Sequence, residues 1–220
     1  MIDWAQIQTV FLDMDGTLLD LHYDNYFWLC HVPRRYAEKT GIDADSAHAE
    51  LVGRYRSRAG TLEWYCVDFW TRELGLDIAR LKEEVAHLIA VHGHVPEFLG
   101  ALRAAGKRVT LVTNAHRKSL MLKMARTGID AHLDMLVTSH DIGLPKEDPR
   151  FWQALQQVEP FDAASTLLID DSLPVLRSAR EYGIAHLVAV YRPDSRQPRK
   201  DVGEFQAIES FLDVMPGARS

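Results

Sequence analysis

Five short apolar runs punctuate this chain, and helical patterns separate most of them. They are Val10-Phe11-Leu12, Val109-Thr110-Leu111-Val112, Met135-Leu136-Val137, Leu167-Leu168-Ile169 and Leu187-Val188-Ala189-Val190. Runs of this length suit strands buried on both faces of a parallel sheet. Val95, Phe98, Leu99 and Leu102 fall at i, i+3, i+4 and i+7, and Gly106 follows as a stop. Leu120, Met121 and Met124 repeat the pattern before Gly128, and Phe151, Trp152, Leu155 and Val158 form another helical stripe. Ser172 is a candidate N-cap for a helix carrying Pro174, Leu176 and Ala179. Phe205, Ile208, Phe211 and Leu212 are spaced for a last helix. Alternation of strand and helix predicts an α/β fold built on a doubly wound parallel sheet.

The stretch from Leu21 to Gly93 breaks the alternation. It carries no convincing strand, yet Ile78, Leu81, Val85, Leu88 and Ile89 make a helical stripe. Tyr26, Phe27, Leu29 and Cys30 begin an earlier helix that Pro33 must break or restart. A strand-to-helix connection normally takes a few residues, so this segment reads as an inserted helical unit. The expected division is a core of residues 1–19 and 94–220 with a small all-helical cap domain at 20–93. The Pro-, Arg- and Asp-rich segment Arg192–Asp201 reads as an exposed loop.

The strand ends carry the chemistry. Val10-Phe11-Leu12 runs into Asp13-Met14-Asp15-Gly16-Thr17, two carboxylates one residue apart at the edge where open α/β sheets bind ligands. Carboxylates so close repel unless a cation or a shared proton holds them. The second strand ends in Thr113-Asn114, Lys146 follows the third, and the fourth ends in Asp170-Asp171-Ser172. Parallel strands share a direction, so these groups should converge on one rim. Clustered carboxylates there suit Mg²⁺, while a hydroxyl, amides and a lysine suit a phosphate. The combination points to phosphoryl transfer.

The stretches VFLDMDGTLLD, VTNA, Lys146 and LIDDS resemble, in order, the four motifs of the haloacid dehalogenase-like hydrolase superfamily. The resemblance implies a Rossmann-like core with a cap inserted after the first motif, Asp13 as nucleophile and Asp15 as general acid/base. It further implies that Thr113 and Asn114 hold the phosphoryl group and that Lys146 neutralises Asp13 and phosphate. Mg²⁺ would be bound by the carboxylates Asp13, Asp15, Asp170 and Asp171, with Asp171 favoured over Asp170 for direct contact; either of the last two could instead cap the following helix. Dehalogenases of the superfamily lack the second aspartate, since a halide leaves without a proton, so Asp15 favours a phosphatase. Many relatives place proline after the third-motif lysine, whereas this chain has Pro145-Lys146-Glu147.

Asp24–Trp28 (DNYFW) and Leu62–Trp70 (LEWYCVDFW) load the insert with aromatics, which in a small helical unit can be internal packing or a ligand platform. With the long first-motif extension and the Pro-Lys-Glu-Asp loop, they resemble the purine nucleotidase group that acts on GMP and IMP. That likeness implies a nucleoside 5′-monophosphatase whose base stacks on cap aromatics, with Tyr23 and Trp64 as first candidates. The alternatives are a sugar-phosphate or phosphoglycolate phosphatase, a phosphomutase, or a non-catalytic binding module. A net charge of -6 disfavours nucleic acid and anionic membranes as partners and leaves a small phosphorylated metabolite. There is no signal-peptide pattern and no apolar run near membrane-spanning length. Cys30 and Cys66, far apart, read as buried free thiols of a cytoplasmic protein. None of the ten histidines shows metal-ligand spacing; His92 and His94 read as polar linker.

Overall fold

A computed structural model describes residues 2–217. Six strands, β1 (Thr9–Leu12), β2 (Arg108–Thr113), β3 (Met135–Thr138), β4 (Thr166–Ile169), β5 (His186–Val190) and β6 (Gln206–Ile208), form one sheet in the order β3-β2-β1-β4-β5-β6. Every neighbouring pair is parallel. The chain works outward from β1 through β2 to β3, then crosses to β4 on the other side of β1. That reversal puts the topological switch point between β1 and β4.

Alternation along each strand feeds two apolar layers. Val10, Leu12, Leu167 and Ile169 face Val95, Phe98, Leu99 and Leu102, while Phe11, Leu168 and Val112 face Phe151, Trp152, Leu155 and Leu176. Each such side chain contributes roughly 1.5–3 kcal/mol by leaving water, which is why these runs accept no other register. The helices Val95–Ala104, Arg117–Thr127, Arg150–Val158 and Leu173–Tyr182 bear out the stripes, although Met121 and Val158 face solvent.

Between β1 and β2 the described residues contain helices and no strand. Tyr23, Phe27, Leu51, Tyr55, Trp70, Ile78 and Leu81 belong to a third apolar cluster confined to this segment. The two passages into and out of it run side by side: Asp20 N–H donates to Ala90 O, and His92 N–H donates to Leu18 O, both at 2.9 Å. His92 and His94 sit at this junction, and His94 takes a positive φ of 65° ahead of the helix Val95–Ala104.

Several expectations are corrected. Pro33 neither stops nor restarts the first helix. The chain stays helical from His22 to Thr40, with one wide π turn over Phe27–His31 just ahead of the proline. The carbonyl that Pro33 cannot reach with a hydrogen, that of Leu29, is met instead by the His48 ring at 3.0 Å. Phe205–Leu212 is not a helix but β6 followed by a 3₁₀ turn over Phe211–Val214, with Leu212 exposed. The open edge of β5 captures three residues, and Ser210 with Asp213 then caps the turn; three residues are too few to show a strand period. The Arg192–Asp201 segment is exposed only in part, because Pro193 and Asp194 are buried against the insert. Pro193 O accepts from Leu21 N–H, and Asp194 Oδ2 accepts from Asn25 at 2.7 Å. Both cysteines are free, but Cys30 is exposed and Cys66 half-buried. No helix among the described residues is long and apolar enough to cross a membrane.

Candidate active site

The register puts the rim residues at one height. Leu12 lies level with Leu111 on one side and Ile169 on the other, so Asp13 and Asp170 emerge together where β1 and β4 end. Gly16 then reverses the chain with φ 84°. A Cβ at this position would stand 2.8 Å from Asp171 Cγ and 2.9 Å from Pro193 Cβ, so glycine serves both the turn and the close approach of Asp171.

Lys146, 1% exposed, reaches the rim from the loop after β3. Its Nζ donates to Asp13 Oδ1 at 2.5 Å, Asp170 Oδ2 at 2.7 Å and Val112 O at 2.8 Å. Asn114 shapes that loop: its Oδ1 accepts from Lys146 N–H and its Nδ2 donates to Glu147, both at 2.9 Å. Glu147 also accepts from the Tyr65 hydroxyl of the insert at 2.5 Å. Thr113, 1% exposed, accepts the amide of Ala115 at 3.0 Å.

Asp13, Asp170 and Asp171 present oxygens within 4.8 Å of one another. Burial pushes each carboxyl up to about 6, against the pull of Lys146 on the first two and of Lys200 on Asp171. Three carboxylates, two buried and Asp171 half-buried, with no nitrogen or sulfur ligand among them, make a hard-cation site, so the residues present fit a metal of the Mg²⁺ type. Asp170 Oδ1 also accepts the amide of Ser172 at 2.8 Å. That bond replaces the side-chain cap expected of Ser172, which begins the following helix without one.

Asp15 stands apart from this acidic trio. Its Oδ1 is held by Lys123 Nζ at 2.6 Å, and the same ammonium reaches Asp24 Oδ2 of the insert at 2.5 Å. Lys82 Nζ holds the other oxygen of Asp24 at 2.9 Å. Burial, then the Asp24 charge, raises Asp15 to about 6; Asp24, despite its burial, is drawn down to about 2 by Lys123 and Lys82.

This network explains Tyr23. The candidate base platform is 1% exposed, and its ring sits 5.1 Å from both Lys82 Nζ and Lys123 Nζ. Its hydroxyl donates to Lys82 O at 3.0 Å, so Tyr23 serves the buried cations rather than a ligand.

Asp13, Asp15, Thr113, Asn114, Lys146, Asp170 and Asp171 all line one cavity of about 410 Å³, within the ~300–1,000 Å³ usual for small-molecule sites. Its other wall belongs to the insert: Trp28, Tyr55, Trp64, Tyr65 and Trp70. Tyr55 packs edge-on against Trp28, Trp64 and Trp70 at 5.4, 5.9 and 5.1 Å between ring centres. The buried Tyr55 hydroxyl has no hydrogen-bond partner among the described residues.

A family profile described as haloacid dehalogenase-like hydrolase matches residues 7–183. The chain belongs to the haloacid dehalogenase-like hydrolases. It is 40% identical over 215 residues to the GMP/IMP nucleotidase of Escherichia coli strain K12, covering 98% of this chain and 97% of that one. The nucleotidase of the same description from Shigella flexneri matches equally. Among solved structures, a haloacid dehalogenase-like phosphatase from Thermococcus onnurineus superposes with TM-score 0.79 at 21% identity, covering 94% and 96% of the two chains, which shows the shared fold.

Lys82, Lys123, Lys200 and Tyr55 escaped the sequence reading. For two of them a signal was present. Lys82 falls four residues after Ile78, and Lys123 three after Leu120, each on the apolar arc of its helix. A lysine on a buried face demands an anionic partner. Lys200 contacts the Asp171 carbonyl and carboxylate from the loop read as exposed. The histidines also need revision: His116 and His140 meet Cys66, their ligand atoms all within 4.8 Å, across sequence separations that no local spacing can reveal. Burial and the neighbouring His116 lower His140 to about 4.

Proposed function

We propose that this hydrolase is a Mg²⁺-dependent phosphatase of purine nucleoside 5′-monophosphates, GMP and IMP, with residues 20–93 acting as its cap. The observation that carries the reading is the two-sided cavity, with carboxylates and Lys146 on the sheet rim and indole rings on the facing helices. A phosphate fits the first side and a planar base the second. The 40% identity to the E. coli nucleotidase, along nearly the whole of both chains, supports the same reading.

Asp13, Asp170 and Asp171 would hold the metal, which screens phosphate charge when bound. Lys146 fixes Asp13 for in-line attack on phosphorus, and Thr113 and the Asn114 turn receive the equatorial oxygens. The Asp13 carboxylate forms the acyl phosphate as the ribose 5′-oxygen leaves, and Asp15 donates the proton that oxygen needs. Asp15 then takes a proton from the water that cleaves the acyl phosphate. With its carboxyl at about 6, Asp15 keeps a protonated fraction near neutral pH. Trp28 and Trp64, both half-buried, offer ring faces to the base, and the Tyr55 hydroxyl awaits a polar group of the nucleoside.

The test compares kcat/KM for GMP and IMP with that for ribose 5-phosphate, which carries the phosphate without the base. Stacking alone contributes about 1–3 kcal/mol, a ratio of roughly 5- to 150-fold. Trp64→Ala should erase most of that ratio while sparing a small phosphate ester. Equal rates on GMP and ribose 5-phosphate would remove the nucleotide reading and leave a general phosphatase.

A further inference from the structure

Cys66 belongs to the helical insert, between the helices Leu62–Tyr65 and Val67–Leu74, whereas His116 and His140 belong to the sheet domain. His116 opens the helix Arg117–Thr127 and His140 lies in the turn of helix Ser139–Ile142 that follows β3. One ligand atom from each lies within 4.8 Å of the others. The two imidazoles meet edge-to-face with centres 4.8 Å apart. Both ring nitrogens of His140 are buried and have no hydrogen-bond partner among the described residues. A buried imidazole with neither nitrogen satisfied is uncommon, because each loses its water without replacement. Here those nitrogens stand beside a thiol and a second imidazole, a donor set of the kind that binds zinc.

We propose that Cys66, His116 and His140 form a second metal site, selective for a zinc-class cation over Mg²⁺, and that its occupation ties the insert to the sheet rim and slows turnover. Tetrahedral zinc holds N and S ligands about 3.3–3.8 Å apart at its usual bond lengths, so the three side chains need close by only about 1 Å. The Cys66 thiol loses its proton to solvent as the metal–sulfur bond forms, and its Sγ already accepts the Phe69 amide at 3.3 Å. Whichever nitrogen of His116 binds, the 3.3 Å contact from the Lys118 amide to its Nδ1 is given up. Asp68, whose Oδ2 lies 3.7 Å from His116 Nε2, is a carboxylate that could complete the shell, and it is shared with Lys118 at 2.5 Å. The two sites differ in chemistry. The acidic trio offers only oxygen and suits Mg²⁺, whereas sulfur and imidazole discriminate against it. His116 also lines the catalytic cavity, so an ion here would sit beside the substrate's path. The site does not depend on which phosphate ester the enzyme cleaves.

Co²⁺ titration into the full chain in excess Mg²⁺ tests the site, because cobalt on sulfur shows thiolate-to-metal charge-transfer absorption and intense tetrahedral bands that oxygen ligation lacks. One equivalent should produce both, and Zn²⁺ should bleach them. Cys66→Ser should abolish the charge-transfer band, and His140→Ala should weaken binding at least tenfold, with circular dichroism confirming the fold. Cys30→Ser and Asp171→Asn should leave the spectrum intact. Absence of the band, or a band lost with Cys30→Ser rather than Cys66→Ser, would overturn the site. The brake is read separately: Zn²⁺ should inhibit Mg²⁺-supported phosphate release at concentrations that the Cys66→Ser variant tolerates at least tenfold better. Equal inhibition of both proteins would overturn it.

Discussion

Replacing Lys123 by methionine probes the ion network that joins sheet and insert. The ammonium is 1% exposed and holds Asp15 at 2.6 Å and Asp24 at 2.5 Å. Removing one partner of a buried pair typically costs about 3–5 kcal/mol, because the remaining charge stays desolvated. Two features of this site reduce that figure. Asp24 keeps Lys82 at 2.9 Å. Asp15, already raised to about 6, can escape by binding a proton, which at pH 7 costs about 1.4 kcal/mol for each pKa unit below the solution pH. A loss of about 2–4 kcal/mol follows, or roughly 5–15 °C in Tm for a chain of this size. Because the lost cation had favoured the ionised form, the Asp15 carboxyl should rise further, and with Asp15 in the proposed acid/base role the corresponding limb of the pH–rate profile should move to higher pH. Thermal denaturation and a pH profile of phosphate release measure the two effects. A Lys123→Met protein with wild-type Tm and an unshifted profile would show that the network neither stabilises the fold nor tunes Asp15.

Asp13→Asn should abolish phosphate release while leaving the circular dichroism spectrum unchanged, since an amide cannot form the acyl phosphate; wild-type turnover would refute the role of nucleophile. Gly16→Ala should lower activity on the order of 10²-fold, because a Cβ only 2.8 Å from Asp171 Cγ and a φ of 84° together displace the acidic trio; full activity would mean that the rim tolerates the shift. EDTA should stop turnover and Mg²⁺ restore it. The carboxyls of Asp13, Asp170 and Asp171, raised to about 6, are protonated in both folded and unfolded chain below about pH 4. Their contribution to metal-free stability is therefore fully present at low pH and is lost as pH rises through 6. Bound Mg²⁺ should offset that loss, so the thermal shift on adding it should be larger at pH 7.5 than at pH 5; equal shifts would exclude the trio as the metal site.

Much of the fold was legible in local pattern. The apolar runs that became β1 to β5 announced themselves because a strand covered on both faces is filled mainly by apolar side chains, with an occasional β-branched threonine such as Thr110, and the rim motifs followed because every parallel strand ends at the same edge. Asp13, Lys146, Asp170 and Asp171 needed only that rule to be brought together. What tertiary structure decided were the pairings between distant residues. β6 exists because β5 leaves an open edge, not because three residues carry a period. Tyr23 looked available for a ligand until Lys82 and Lys123 enclosed its ring, and those lysines are tolerable in a core only because Asp24 and Asp15 meet them there. Cys66, His116 and His140 share no local motif, and only the docking of the insert on the rim brings their ligand atoms within 4.8 Å. Sequence reports the periodicity that burial imposes along one element; it is silent on which desolvated charges and donors will face one another when two elements close, because that depends on geometry no single element contains.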